Sequence, residues 1–224
     1  MVPGVRIVIL GKQGAGKGTQ CTRLARHYVV PHISTGDMLR AAARSMTEFG
    51  KRAKEFMDAG ELVPDEVMIG VVQERLDFDD TAHRGFILDG FPRTVGQAEA
   101  LEAILGESRA LDVAVDLEVP TELVLDRLAS RRVCEVCGAI YSVSSPPHVN
   151  WTCDHCGGEV VQREDDRPEA IRRRLALYEE QTAPLIAWYR DRGALVAVDG
   201  AGAPDDVFAR LVRLIDERRV SVQA

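Results

Sequence analysis

Val5-Arg-Ile-Val-Ile-Leu10 runs directly into Gly11-Lys-Gln-Gly-Ala-Gly-Lys17-Gly-Thr19, and the reading of the whole chain turns on this stretch. Six mostly apolar, β-branched residues predict a strand. The glycines after it let backbone N–H groups turn inward around phosphate oxygens, and the helix predicted from Lys17 to about Tyr28 adds the positive potential of its N-terminus. Lys17 is placed to neutralise β- and γ-phosphate charge. A strict P-loop carries Ser or Thr directly after the lysine, whereas here Gly18 intervenes and Thr19 supplies the hydroxyl. The bland alternative is a glycine-rich turn with a stray lysine, and the strand–loop–helix context argues against it.

Outward from this stretch, short β-branched runs alternate with helical patterns. His32–Ser34, Gly85–Leu88, Val113–Leu117 and Leu195–Val198 read as further strands, so the expected fold is α/β, a five-stranded parallel sheet wrapped by helices. Pro64 opens a helix whose first turn holds Asp65 and Glu66, with Val67, Val71 and Leu76 at roughly helical spacing. Thr94 caps another, with apolar Val95, Ala98, Leu101 and Leu105 and a stop at Gly106. Pro168 opens a long helix to about Tyr189, and a last one begins near Pro204. Two regions break the rhythm: 34–63, helical and charged, and 133–163, rich in Cys, Gly, Pro and Ser.

The chain has 224 residues, 46% hydrophobic and 28% charged, with a net charge of −7. It is long enough for a sizeable core, and this acidity disfavours nucleic-acid binding, which usually needs a basic face. The N-terminus lacks the basic start and length of a signal peptide, and no apolar run approaches a membrane span, so a cytoplasmic protein is expected.

Three further signals carry chemistry. Asp89, in Gly85-Phe-Ile-Leu-Asp89-Gly-Phe-Pro-Arg93-Thr, ends an apolar strand. A carboxylate there is either a turn residue or, beside a P-loop, a holder of Mg²⁺ through water. Cys134-x-x-Cys137 and Cys153-x-x-Cys156, fifteen residues apart, match a zinc ribbon, the alternative being four free thiols. Four thiolates leave no open coordination position, so a Zn²⁺ ion there would be structural; His155 reads as a bystander, and the remaining Cys21 as a small core residue. Arg127, Arg131 and Arg132 precede the cysteine region, and Arg163, Arg172, Arg173 and Arg174 follow it. They form either a solvated face or a set converging on phosphates.

Taken together, these motifs resemble the adenylate kinase family in its long form with a zinc-binding lid. The resemblance spans Arg6 to about Glu217 and rests on G-x-x-G-A-G-K-G-T, on I-S-T-G-D-M-L-R at 33–40, on L-D-G-F-P-R-T at 88–94, on the four-cysteine insertion and on R-x-D-D from Arg163. It implies transfer of a phosphoryl group from Mg·ATP to AMP, giving two ADP. It also implies one nucleotide-kinase domain with a core of 1–33, 64–129 and 167–224, an AMP-binding insertion at 34–63 and a zinc-ribbon-like lid at 130–166.

Position by position, the resemblance assigns the ATP side to Gly14, Ala15, Gly16, Lys17, Gly18 and Thr19, to Arg127 and Arg131, to Ile140 and Tyr141 of the lid, and to Gly202. It assigns the AMP side to Thr35 and Arg40, to Glu61, Leu62 and Val63, to Gly90, Phe91, Pro92 and Arg93, and to Gln97 as the adenine-reading amide. Arg163 and Arg174 converge on the transferred phosphate. The catalytic set is Lys17, Asp89, Arg93, Arg131, Arg163 and Arg174, with Cys134, Cys137, Cys153 and Cys156 as metal ligands. The partners implied are ATP, AMP and ADP with Mg²⁺ and a structural Zn²⁺; a monomer suffices, and neither nucleic acid nor membrane is expected.

Gln13 stands where the family commonly has proline, preceded by Lys12. Three competing readings stay in view. One is a kinase with another acceptor (CMP or UMP) or with GTP as donor. The second is a zinc-ribbon nucleic-acid-binding module coupled to a P-loop switch. The third is a catalytically dead homologue, which would be expected to have lost Lys17, Asp89 or the arginines.

Overall fold

Along strand β1 (Val5–Leu10) the side chains divide by parity, and the division builds the molecule. Val5, Ile7 and Ile9 face one buried cluster, while Val8 and Leu10 face another. A strand whose two faces are both apolar must be covered on both sides, which is the signature of a parallel sheet between helical layers. The computed structural model shows this sheet and describes residues 4–45 and 48–223. Residues 1–3, 46–47 and 224, which fall within the segments expected for the core and the 34–63 insertion, lie outside the described residues.

Strands β2 (His32–Ser34), β3 (Gly85–Asp89) and β4 (Val113–Glu118) join β1, with the last strand, Leu195–Asp199, in a five-stranded parallel sheet. The order places β1 between β3 and β4, with β2 and the last strand at the edges. One layer contains α1 (Lys17–Tyr28), which buries Cys21, Leu24 and Tyr28 beside Val207, Leu211 and Ile215 of the C-terminal helix. The opposite layer contains α4 (Asp65–Leu76) and α6 (Val95–Leu105). Each fully buried Leu or Ile in these layers contributes roughly 1.5–3 kcal/mol relative to exposure.

The helical insertion consists of α2 (Thr35–Arg44) and α3 (Glu48–Ala59). Ser34 caps α2 by accepting a hydrogen bond from the Asp37 N–H at 3.2 Å. Short helix α5 (Asp79–Arg84) precedes β3, and α7 (Thr121–Ser130) leads from β4 into the lid. The lid itself holds β5 (Arg131–Cys134), β6 (Ile140–Ser142) and β7 (Val160–Val161), a small antiparallel sheet in the order β6-β5-β7. The chain then returns through α8 (Pro168–Leu177), α9 (Pro184–Asp191), strand β8 (the Leu195–Asp199 strand) and α10 (Pro204–Gln223). Among the described residues no helix is long and apolar enough to cross a membrane.

Two expectations are corrected here. On α4 the buried face is Met68, Val72 and Leu76, while Val67 is exposed and Val71 half-buried. Leu76 lies in this stripe as read, whereas Val67 and Val71 each stand one residue before a member of it. The helix expected from Pro168 to Tyr189 is instead broken by a wide turn at Tyr178–Thr182, where the Ala183 N–H bonds the Tyr178 carbonyl at 2.7 Å, five residues back. Pro184 has no N–H to give and its ring crowds the preceding turn, so the helix widens ahead of it.

Gly85 tests the sheet. Its φ is 90°, and a β-carbon there would stand 2.4 Å from the Val5 carbonyl oxygen of the neighbouring strand. Gly85→Ala is therefore expected to destabilise the protein by about 2–4 kcal/mol. A urea midpoint lowered at unchanged slope would show it; an unmoved midpoint would mean that β1 and β3 do not approach in this register.

Candidate active site

The sheet order reverses at β1, and the carboxyl ends of the strands there are where an open α/β sheet leaves a crevice. The Gly11–Gly16 loop leaves β1 at that edge, Asp89 ends β3, Thr35 follows β2 and Gly200–Gly202 follow β8. The loop is held tightly from below. Gly14 has a φ of 82°, and a β-carbon on it would meet Leu128 Cγ at 2.8 Å. Lys17 curls back so that Nζ donates to the carbonyls of Gly11 at 2.7 Å and Lys12 at 2.8 Å. Burial lowers its pKa to about 8, although Asp89 pulls the other way.

Above the loop is a cleft of about 1430 Å³. It is lined by every residue expected on the ATP side: Gly14 to Thr19, Arg127 and Arg131, Ile140 and Tyr141 from β6, and Gly202. Arg127 donates to the Ala15 carbonyl at 3.1 Å and the Gly200 carbonyl at 3.4 Å, tying the loop to the turn after β8. A second, small pocket is lined by Thr35, Arg40, Glu61, Leu62, Val63, Gly90, Arg93 and Gln97. Of the residues expected on the AMP side, Pro92 lines the large cleft instead, and the Phe91 side chain is turned into the core.

Arg40, Arg93 and Arg174 line both pockets, and Arg131 and Arg163 line the large one. Burial and the neighbouring guanidiniums lower the pKa of Arg93 and of Arg163 to about 10, so both stay charged near neutrality. Two buried carboxylates oppose this positive charge. Asp166 accepts from Arg131 Nε at 2.8 Å and from a second nitrogen of the same guanidinium, while Asp165 is paired with Arg174. Burial would raise the Asp165 pKa, but Arg174, Arg163, Arg40 and Arg131 together hold it below the usual carboxylate range. Burial is likewise outweighed at Asp89 by His32, Lys17 and Arg93. The carboxylates pin the arginine forks in place while leaving N–H groups on each for an incoming anion.

Four contacts were not legible beforehand. Gln97 is buried with both ends of its amide engaged: Oε1 accepts from the Arg93 N–H at 2.8 Å and Nε2 donates to Asp65 at 2.7 Å. Asp65, in the first turn of α4, thus also orients the amide, and no signal in the sequence links positions this far apart. Thr182, in the widened turn, donates to the Arg93 carbonyl at 2.9 Å. Gln13 Nε2 donates to Asp166 at 3.2 Å, joining the loop to the base of the lid. The polar residue in a position where proline is common was the available hint.

The four cysteines of the lid also come together, their sulfurs all within 4.8 Å of one another. Cys134–Cys156 and Cys137–Cys153 stand at 3.5 Å, free of disulfides. Sulfurs around a tetrahedral Zn²⁺ at about 2.3 Å are about 3.8 Å apart, a spacing close to that of the set. Each pair is shaped by the same turn: the Gly138 N–H bonds the Cys134 carbonyl at 3.0 Å and the Gly157 N–H bonds the Cys153 carbonyl at 2.9 Å, both glycines having φ near 73°. The Tyr141 hydroxyl, 3.4 Å from Cys153 Sγ, lowers that thiol's pKa to about 6. His155 stands outside the cluster, as expected.

Comparison with known proteins agrees with this geometry. The adenylate kinase family model matches residues 9–194. The adenylate kinase of Thermodesulfovibrio yellowstonii is 50% identical over 216 residues, covering 96% of this chain and 100% of the relative. That of Archaeoglobus fulgidus is 48% identical, covering 95% and 99%, and that of Staphylococcus aureus 47%, also covering 95% and 99%.

Proposed function

The chain belongs to the adenylate kinase family, and from that premise we propose that it transfers the γ-phosphoryl group of Mg·ATP to AMP, giving two ADP. The observation that carries this reading is the sharing of Arg40, Arg93 and Arg174 by the large cleft and the small pocket. A phosphoryl group passing from a nucleotide in one to a nucleotide in the other crosses this row of guanidiniums.

In this reading the β- and γ-phosphates of ATP lie on the backbone of Gly14 to Thr19. Lys17 exchanges its two loop carbonyls for phosphate oxygens, and Arg127, Arg131, Ile140, Tyr141 and Gly202 complete the donor side. AMP enters the small pocket against Thr35, Arg40, Glu61, Leu62 and Val63, with Gly90, Pro92 and Arg93 near its phosphate. Phe91 supports this turn from the core. Gln97, held by Asp65, keeps one N–H free to read the adenine edge. Arg93, Arg163 and Arg174 stabilise charge on the transferred group, a contribution that reaches about 10³–10⁵-fold for an arginine in phosphoryl transfer. No protein nucleophile is needed, since positioning and charge neutralisation suffice.

Asp89, an ionised oxygen donor at the cleft floor, is the residue that would hold Mg²⁺ together with the phosphates. Bound Mg²⁺ supplies neutralisation of phosphate charge. Cys134, Cys137, Cys153 and Cys156 would hold the structural Zn²⁺ that keeps the lid folded. The insertion at 34–63 and the lid at 130–166 act as covers on the core (1–33, 64–129 and 167–224), excluding water that would otherwise hydrolyse ATP. All groups in the scheme come from one chain, which supports a monomer, and we place it in the cytoplasm.

The test is ADP formation with Mg·ATP and AMP, beside CMP, UMP, GMP and no acceptor. Two ADP per ATP consumed, with AMP alone effective, is the expected result. ADP formed without acceptor, or only with another nucleotide, would overturn the acceptor assignment.

A further inference from the structure

Beneath the cleft floor, Cys21 of α1, His32 of β2 and Asp89 of β3 each present one ligand atom, and the three lie within 4.8 Å of one another. Cys21 is a free thiol, fully buried, and the proposed transfer makes no use of it or of His32. Among the described residues His32 Nε2 is buried without a hydrogen-bond partner. It stands 3.6 Å from Asp89 Oδ2, an ion-pair distance longer than a hydrogen bond. A sulfur, an imidazole nitrogen and a carboxylate oxygen around a common point are a donor set for a borderline-soft divalent cation. Around such an ion, donors at about 2.0–2.3 Å stand roughly 3.3–3.8 Å apart, so the triad has only to close by about 1 Å. Lys17 and Arg93 act on Asp89 through their charge, but their hydrogen bonds go to other groups: Lys17 Nζ to the Gly11 and Lys12 carbonyls, and Arg93 Nε to the Gly90 carbonyl at 2.8 Å. His32 and Asp89 also line the cleft, leaving the fourth coordination position to water or a phosphate oxygen.

We propose that Cys21, His32 and Asp89 form a second metal site, for a thiophilic divalent cation such as Zn²⁺, whose occupation withdraws Asp89 from Mg·ATP. Mg²⁺ itself is a hard, oxygen-seeking ion and does not compete for the thiolate and imidazole. On binding, the thiol gives its proton to solvent. The site makes the enzyme sensitive to free zinc, and only this inhibitory consequence rests on the function proposed above.

The experiment takes the full chain with its lid already loaded with one Zn²⁺ and measures further Zn²⁺ uptake by equilibrium dialysis without nucleotide. A parallel Co²⁺ titration monitors the thiolate-to-cobalt charge-transfer band. A second equivalent carrying that band is expected, lost in Cys21→Ala and in His32→Gln while the first is kept, and displaced by excess Mg·ATP. Cys21→Ala should keep its basal ADP formation and need at least 10-fold more Zn²⁺ for half inhibition. A single equivalent in the wild type, a second one persisting in both variants, or one indifferent to Mg·ATP would overturn the proposal. Failure of the wild type carrying only its lid Zn²⁺ to form ADP from Mg·ATP and AMP would instead strike the proposed function and leave the metal stoichiometry standing.

Discussion

Lys17→Met is expected to lower kcat for ADP formation by roughly 10²–10³-fold or more, the range seen when one preorganised donor to developing charge is removed. The fold should survive. Among the described residues the ammonium bonds only to the carbonyls of Gly11 and Lys12, and neither bond spans more than the loop itself. Burial lowers the Lys17 pKa from 10.5 to about 8. A lysine shifted down in the folded state binds fewer protons there than in the unfolded chain. Its penalty is therefore full below about pH 8 and is relieved as pH rises toward 10.5. Methionine keeps the apolar stem and removes the buried charge, so the melting temperature at neutral pH should be unchanged or higher. Steady-state rates beside a thermal melt make the check. Activity within 10-fold of wild type would sink the assignment of Lys17 to the phosphates.

The double replacement Cys153→Ser with Cys156→Ser should empty the lid of metal and unfold it locally while the core stands. The apolar cluster of the lid consists of Cys134, Cys153 and Val160, with Ala139 and Tyr141 packed against it. Burial of so few side chains, at roughly 1.5–3 kcal/mol each, cannot offset about 1–2 kcal/mol of backbone entropy for every residue ordered. A structural four-cysteine zinc site contributes about 10–16 kcal/mol in small zinc domains, so losing it removes a principal support of a lid with so small an apolar cluster. Metal content should fall by one ion per chain, and proteolysis should cut between β5 and β7. The first melting transition should move to lower temperature. Turnover should drop too, because Ile140 and Tyr141 lose their place over the cleft. A double variant with its metal content unchanged, or with a lid as protease-resistant as before, would refute the four-cysteine site.

Some features of the molecule are written in local sequence. Strand β1 and the glycine loop were legible because an apolar run, glycines needing positive φ and a helix start occupy consecutive residues. The two C-x-x-C-G turns were legible because each repeats one local hydrogen-bonded geometry at a diagnostic spacing. The cap at Thr94 held, accepting from the Gln97 N–H at 3.2 Å. On α4 Leu76 was legible, but Val67 and Val71 stand one residue before Met68 and Val72, whose burial is decided by what packs on them. The widened turn at Tyr178–Thr182 was missed although Pro184 is a visible breaker.

The sequence by itself determined the order of elements, the parallel sheet, the glycine loop after β1 and the four-cysteine cluster of the lid. These depend on residues close in the chain, whose backbone preferences and spacing act before any tertiary contact forms. Only the tertiary structure decided that Asp65 orients Gln97, that Gln13 ties the loop to Asp166, and that Asp165 and Asp166 pin the arginines between two pockets. It alone set Cys21, His32 and Asp89 around one point. Such pairings join side chains from different strands and helices, and their distances follow from sheet order and helix packing rather than from any local preference.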